Sequence, residues 1–156
     1  MVYVILVILQ TIVLPIASGS IELASVGGDP VLVFGRWWAF WGVGTRLLIA
    51  GVAQLSGKGP TSRILGSSNV SDQEKQLTRE LGAANIGIGL AGLVAIVPWW
   101  AVPAGLAGGL FLLIAGLMHI GKRGRNGQEN LALVTDLIVA GVIIVLVVYT
   151  GVRSLA

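Results

Sequence analysis

Residues 126–136 read NGQENLALVTD, and residues 137–150 continue as LIVAGVIIVLVVYT. The second stretch has no charged side chain, and the two together exceed the roughly 20 mostly apolar residues that a membrane-spanning helix needs. Yet Glu129, Asn130 and Asp136 stand in the first part of this run. A charged side chain facing lipid is costly. The pattern therefore predicts a membrane helix whose polar residues face other helices.

The composition of the whole chain agrees with a membrane protein. Of the 156 residues, 55% are hydrophobic and 11% charged, and the mean hydropathy is +0.91. Soluble domains carry about 25% charged residues. The 23 glycines suit membrane helices, because small residues let backbones approach closely. We expect a multi-pass protein of the cell membrane (inner or plasma), in contact with membrane lipid.

Several classes of site are excluded by residue type. The chain has no cysteine and one histidine, which rules out disulfides, thiolate metal sites and multi-histidine zinc sites. The G-x-G-x-x-G string at 87–92 lies inside an apolar helix rather than after a strand, so it is not a dinucleotide site. We predict no catalytic residue, no metal and no cofactor. The net charge of +3 comes from basic residues that flank apolar runs, so no nucleic-acid partner is expected.

Five apolar runs define the predicted fold, an all-α polytopic transmembrane helix bundle that forms a single integral-membrane domain over residues 1–156. The predicted spans are 2–26, 31–55, 80–98, 103–121 and 129–152. The first run lacks a basic segment before it and is longer than the apolar part of a signal peptide, which favours a retained helix. In the connecting loop 56–79, Ser71 and Glu74 have capping-box spacing. This spacing predicts a helix that starts near Asp72 and continues into the third span.

Charge and tryptophan positions both predict the orientation. Basic residues gather in the connections between spans two and three and between four and five: Lys58, Arg63, Lys75, Arg79, Lys122, Arg123 and Arg125. The positive-inside rule makes both connections cytoplasmic, so the N-terminus lies inside and the C-terminus outside. The five tryptophans then fall at the outer interface, where aromatic belts form: Trp37, Trp38, Trp41, Trp99 and Trp100.

Helical spacing places the polar residues on faces rich in small side chains, which are packing faces in membranes. Arg46 and Asp136 both fall in the inner half of the bilayer, and because each is costly alone we expect them to pair. The remaining members of a predicted buried polar cluster ring the cytoplasmic mouth of the same cavity: Glu80, Asn85, His119, Glu129 and Asn130. The third span is small on two sides and is expected to be the central helix.

Three interpretations of this cluster stay open. The pairs can be structural and fix the register of the helices in a non-enzymatic protein, such as an assembly or accessory subunit. Alternatively, the cluster can line a proton, ion or solute path, either in one bundle or around a pore shared by a homo-oligomer. The third interpretation is a membrane enzyme that acts on a lipid or a quinone.

The last three spans also carry a family resemblance. Glu80-Leu81-Gly82-Ala83-Ala84-Asn85, His119, Glu129-Asn130-Leu131-Ala132 and Thr135-Asp136 resemble an uncharacterised family of small prokaryotic multispan membrane proteins. That family has no assigned activity, so the resemblance implies only that these positions form a unit. There is a second likeness to the four-helix DoxX-like membrane proteins, whose redox motifs are missing here.

Overall fold

The computed structural model describes residues 2–57 and 71–156. Lys58 and Arg63, two of the residues used to predict the orientation, lie outside these ranges. Within the described residues the fold is all-helical, with no strand. The predicted fold class is confirmed at this level.

Five helices follow one another along residues 2–57 and 71–156. Helix α1 is Val2–Ser25, and α2 consists of three consecutive segments, Pro30–Trp38, Ala39–Thr45 and Arg46–Leu55. Helix α3 is Asp72–Ile96, α4 is Pro98–Gly121 and α5 is Gly127–Leu155. Their ends lie within a few residues of the predicted ones, except that α3 starts well before residue 80, as its capping box predicts.

Four of the five helices, α1, α3, α4 and α5, are long and apolar enough to cross a membrane. Helix α2 is not among them. It has comparable length, but Arg36 and Arg46 interrupt its apolar sequence. Length and composition therefore support a membrane helix bundle with at least four candidate spans in the described part of the chain.

Side-chain caps explain where three helices begin. The Glu74 N–H donates to Ser71 Oγ at 3.2 Å, and the Ser71 N–H donates to the Glu74 carboxylate at 2.7 Å. The Glu129 and Asn126 pair makes the same reciprocal contacts at 2.9 and 3.0 Å. At the start of α2, Asp29 Oδ1 accepts from the backbone N–H of Val31 at 2.9 Å. These bonds satisfy backbone donors that a helix start otherwise leaves unpaired. The polar sequence that precedes the apolar run of α5 is thus in part a helix start signal.

The central helix is α2, which contacts all four others. The prediction that the third helix is central is wrong, because α3 packs through one face only. Its buried face is formed by Gly82, Asn85, Gly89 and Gly92. The small residues of its opposite face, such as Gly87, are exposed. Sequence spacing identifies both small faces of α3 but does not say which one is covered.

Glycine lets the backbones of α2 and α3 touch. A Cβ added to Gly89 would lie 2.5 Å from the backbone nitrogen of Leu48, and one added to Gly51 would lie 2.6 Å from the carbonyl oxygen of Gly82. Both distances are too short for any side chain. The close approach maximises van der Waals contact, which drives helix association in lipid.

On the other side of α2, helices α4 and α5 complete the core. The fully buried apolar side chains here include Val43, Val139 and Ile143. Val43 and Ile143 fill the space left by Gly108 and Gly109 of α4. This interlocking holds α4 against α2 and α5, next to the polar residues described in the following subsection.

Candidate functional site

The predicted pair of Arg46 and Asp136 is confirmed. Arg46 Nη2 lies 2.5 Å from Asp136 Oδ1, and it also donates to Thr135 Oγ1 at 3.0 Å. Arg46 is 8% exposed and Asp136 is 5% exposed. The contact joins α2 to α5 and neutralises two charges that would each be costly in the bundle alone.

One guanidinium nitrogen is not used by this pair. Arg46 Nη1 is buried and has no hydrogen-bond partner among residues 2–57 and 71–156. An unmade hydrogen bond from a buried polar group costs free energy, and such groups often mark a place where a ligand or an ordered water binds. The charge of Arg46 is therefore neutralised by Asp136, but one of its guanidinium nitrogens lacks a hydrogen-bond acceptor among the described residues.

Two π-helical segments meet beside Arg46. They are Leu9–Val13 in α1 and Ala39–Thr45 in α2. Gln10 Nε2 donates to Thr45 Oγ1 at 3.0 Å, and Thr45 Oγ1 donates to the carbonyl oxygen of Trp41 at 2.9 Å. Short π-helical stretches inside α-helices occur frequently at functional sites. Here the hydrogen bond between Gln10 and Thr45 joins the two π-helical segments, and Thr45 immediately precedes Arg46 in α2.

A cavity of about 270 Å³ opens between α1 and α2 at this point. Its polar lining residues are Tyr3, Gln10 and Arg46, and its apolar walls include Leu6 of α1 and Ala50 of α2. The phenol of Tyr3 is close enough to Arg46 and Asp136 to interact with both electrostatically. A mostly apolar cavity with a few convergent polar groups is the usual form of a small-molecule site.

Asn85 lies in a different interface from Arg46. Its Nδ2 donates to Gln54 Oε1 at 2.8 Å, and the two residues are 4% and 8% exposed. The bond ties α3 to α2. Asn85 therefore contributes to helix packing on the far side of α2.

Glu129 closes the turn between α4 and α5. It is 1% exposed, forms a salt bridge with Lys122 and accepts from the backbone N–H of Asn126. His119 is half-buried, and it lies close enough to both Glu129 and Asp136 to interact with them electrostatically. Its carbonyl oxygen accepts from Arg125 Nη1 at 2.9 Å.

Glu80 and Asn130 are exposed, which corrects their predicted place in a buried cluster. Glu80 accepts from Gln76 Nε2 at 3.0 Å on the outer face of α3, and Asn130 accepts from Arg125 Nε at 3.0 Å. The seven predicted residues thus divide among separate places instead of surrounding one cavity. Among the described residues, no three carboxylate or histidine side chains come together as a possible metal site.

A second group of polar contacts lies at the opposite end of the bundle. Glu22 of α1 forms a salt bridge with Arg36 of α2, and Trp37 Nε1 donates to the same carboxylate at 2.7 Å. This pair was not predicted from the sequence. The opposite charges at the facing ends of consecutive helices were the available signal.

Asp29 connects the loop between α1 and α2 to the end of α5. Its Oδ2 accepts from the Tyr149 hydroxyl and from Arg153 Nη1, the latter at 2.8 Å. The hydrogen bond from Tyr149, supported by the backbone N–H groups of Leu32 and Val31, holds the pKa of the Asp29 carboxyl below its usual value. This aspartate is therefore both a helix cap and an interhelical tie.

Three of the four uncharged residues around Arg46 were not predicted from the sequence, and Thr135 entered only through the family resemblance. Tyr3, Gln10, Thr45 and Thr135 are individually ordinary in a membrane helix, where hydroxyl groups bond to the preceding turn. Gln10 carries the clearest signal, because an amide in the middle of an apolar run needs a partner in another helix.

No protein-family model, curated protein or solved structure matches the chain. The likeness to the uncharacterised prokaryotic family and to the DoxX-like proteins therefore stays a prediction, and the function is inferred from the geometry of the site.

Proposed function

We propose that this chain is a five-span, N-in/C-out protein of the cell membrane with a non-enzymatic role, as an accessory or assembly subunit of a membrane complex. The proposal is carried by one observation: buried polar side chains form bonds between neighbouring helices. Arg46 with Asp136, and Asn85 with Gln54, join α2 to two different neighbours. Such bonds fix the register of the helices that they join.

The fifth span in this proposal is α2. Its segments of nine, seven and ten residues are long enough to cross a hydrocarbon core of about 30 Å at a rise of about 1.5 Å per residue. Its two arginines make its sequence less apolar, but Glu22 and Asp136 neutralise them inside the bundle. A helix surrounded by protein does not need the apolarity of one surrounded by lipid.

The accessory role is supported by the outward face of α3. Ala83, Ala84 and Gly87 are exposed there, with the exposed carboxylate of Glu80 at the cytoplasmic end of the face. In membranes, faces of small residues pack against other helices. A partner helix, from another subunit or from a second copy of this chain, would cover it.

Leucine substitutions on this face test the proposal. Ala84→Leu is expected to prevent copurification of the partner complex from mild detergent. Leu90→Met, at an exposed position of the same helix, is the control and should leave the complex intact. Recovery of the same complex with both variants would contradict the assembly role.

Single cysteines test the topology, because the chain has no cysteine of its own. Gly121→Cys should be protected from a membrane-impermeant thiol reagent in intact cells. Val26→Cys and Ser154→Cys, both at exposed positions, should react. Labelling of Gly121→Cys from outside would overturn the orientation.

A second candidate function is a small carrier. The observation in its favour is the cavity beside Arg46, whose Nη1 has no partner among the described residues. Solute or proton flux into liposomes that disappears in Asp136→Asn, while the variant stays folded, would favour the carrier over the accessory subunit.

A further inference from the structure

We propose that the cavity between α1 and α2 binds a carbonyl group carried on an apolar molecule from the membrane. The carbonyl oxygen would accept hydrogen bonds from Arg46 and Tyr3. The inference rests on the proposed topology, which puts this cavity in the cytoplasmic half of the bilayer. It does not depend on the accessory role.

Two hydrogen-bond donors at this cavity have no acceptor in the described part of the chain. Arg46 Nη1 is buried and unpartnered. Tyr3 lines the same cavity and interacts electrostatically with Arg46 and Asp136. Its hydroxyl makes no hydrogen bond to residues 2–57 or 71–156. One carbonyl oxygen has two lone pairs and can accept from both donors.

Charge then selects the kind of acceptor. Arg46 is already neutralised by Asp136 at 2.5 Å, and Thr135 adds a further acceptor. An anion would bring a second negative charge into a site with one positive charge, and burying an uncompensated charge is unfavourable. A neutral carbonyl supplies the missing acceptor without changing the charge of the site.

The walls and the openings of the cavity indicate that the molecule carrying the carbonyl group is apolar. Leu6, Ile49 and Ala50 line it, which suits an alkyl chain or ring. Leu6 is 37% exposed and Ile49 is 46% exposed, so the walls continue to the outer surface of the bundle. A membrane-dissolved molecule could enter from the side. Acyl esters of lipids and lipophilic quinones both meet this description.

Native mass spectrometry of the purified protein in detergent tests the proposal with three probes. They are a short-chain diester phosphatidylcholine, the diether phosphatidylcholine of the same chain length, which lacks the carbonyls, and a short-chain benzoquinone. Ala50→Leu fills the cavity without removing a polar group. Val52→Leu adds a leucine at an exposed position of α2 that does not line the cavity, and it is the matched control.

The expected result is that the wild-type protein and Val52→Leu bind a carbonyl probe, and that Ala50→Leu binds it at least about tenfold more weakly. Loss of a hydrogen bond to a charged donor should make the diether about tenfold weaker than the diester if the source is a lipid. Tyr3→Phe should reduce that preference. Binding of the quinone alone would assign the quinone as the source.

Equal binding of diester and diether with no binding of the quinone would overturn the proposal. Unchanged carbonyl binding by Ala50→Leu would also overturn it. These outcomes are separate from a failure of the proposed function, because the measurement needs no partner complex and the orientation is tested independently by cysteine labelling.

Discussion

Removal of the Asp136 carboxylate should be among the most destabilising single changes in the bundle. In Asp136→Ala, Arg46 keeps its charge at 8% exposure and retains only the hydroxyl of Thr135 as an acceptor. Breaking a buried ion pair by removing one partner costs about 3–5 kcal/mol, and an uncompensated arginine in a membrane helix costs about 2.5–3.5 kcal/mol on insertion scales. We expect a loss of about 3 kcal/mol in the free energy of unfolding.

Two further variants separate the loss of charge from the loss of a hydrogen bond. Thr135→Val removes one acceptor from Arg46 and should cost about 0.6 kcal/mol, the average for interhelical hydrogen bonds in a membrane protein. Replacement of both Arg46 and Asp136 by leucine removes the buried charge entirely. The double variant should regain most of the stability lost by Asp136→Ala, because apolar replacement of a whole buried pair is often nearly neutral.

The assay is reversible unfolding by dodecyl sulfate in mixed micelles, followed by tryptophan fluorescence. A double-mutant cycle gives the coupling energy of the pair, which should be close to the cost of either single substitution. A cost below about 1 kcal/mol for Asp136→Ala, or a double variant as unstable as the sum of the singles, would refute the reasoning. A stable double variant that no longer carries out flux would assign the pair to transport.

Three other predictions use the same unfolding assay. Gly89→Ala should destabilise the protein by about 1–3 kcal/mol, because the added Cβ would lie 2.5 Å from a backbone atom of α2. In the control Gly87→Ala the added Cβ has nothing within 4 Å, so this variant should be neutral or slightly stabilising. Equal effects of the two substitutions would contradict the close approach of the backbones. The pKa of Asp29 is lower in the folded protein than in the unfolded chain. Its contribution to stability is therefore present above the unfolded pKa of about 3.9 and is lost as the pH falls through the folded pKa. The stability of Asp29→Asn should fall less than that of the wild type between about pH 5 and 2, and identical pH profiles would exclude this role of Asp29. Asn126→Ala removes the side-chain cap of α5 and should cost about 1 kcal/mol, and an unchanged midpoint would show that the cap is replaceable.

The parts of the fold that sequence predicts well are those set by hydropathy and local signals. Apolar runs locate the five helices, and the Ser71–Glu74 spacing locates the start of α3. The Arg46–Asp136 pair is predictable because two costly charges at similar depth have few other partners. Each of these inferences needs only one helix or one pair of residues.

The parts that sequence does not predict depend on which of two similar faces is covered. Helix α3 has small residues on both sides, and only the backbone contacts at Gly82 and Gly89 select the buried one. That choice leaves Glu80 outside the bundle. The π-helical segments Leu9–Val13 and Ala39–Thr45 were likewise not predicted from the sequence.

The position of the cavity follows from how α1 is attached to α2. Glu22 and Arg36 join the C-terminal part of α1 to the N-terminal part of α2, and Gln10 and Thr45 join the middles of the two helices. Toward the N-terminal end of α1 no polar bond joins it to α2 within the described residues, and Val7 is the only buried residue of Val2–Ile8. The two helices therefore separate there, and Arg46 lies where the attachment ends. A molecule in this cavity would replace the missing contact between the helices, so its binding should tighten the least constrained part of α1.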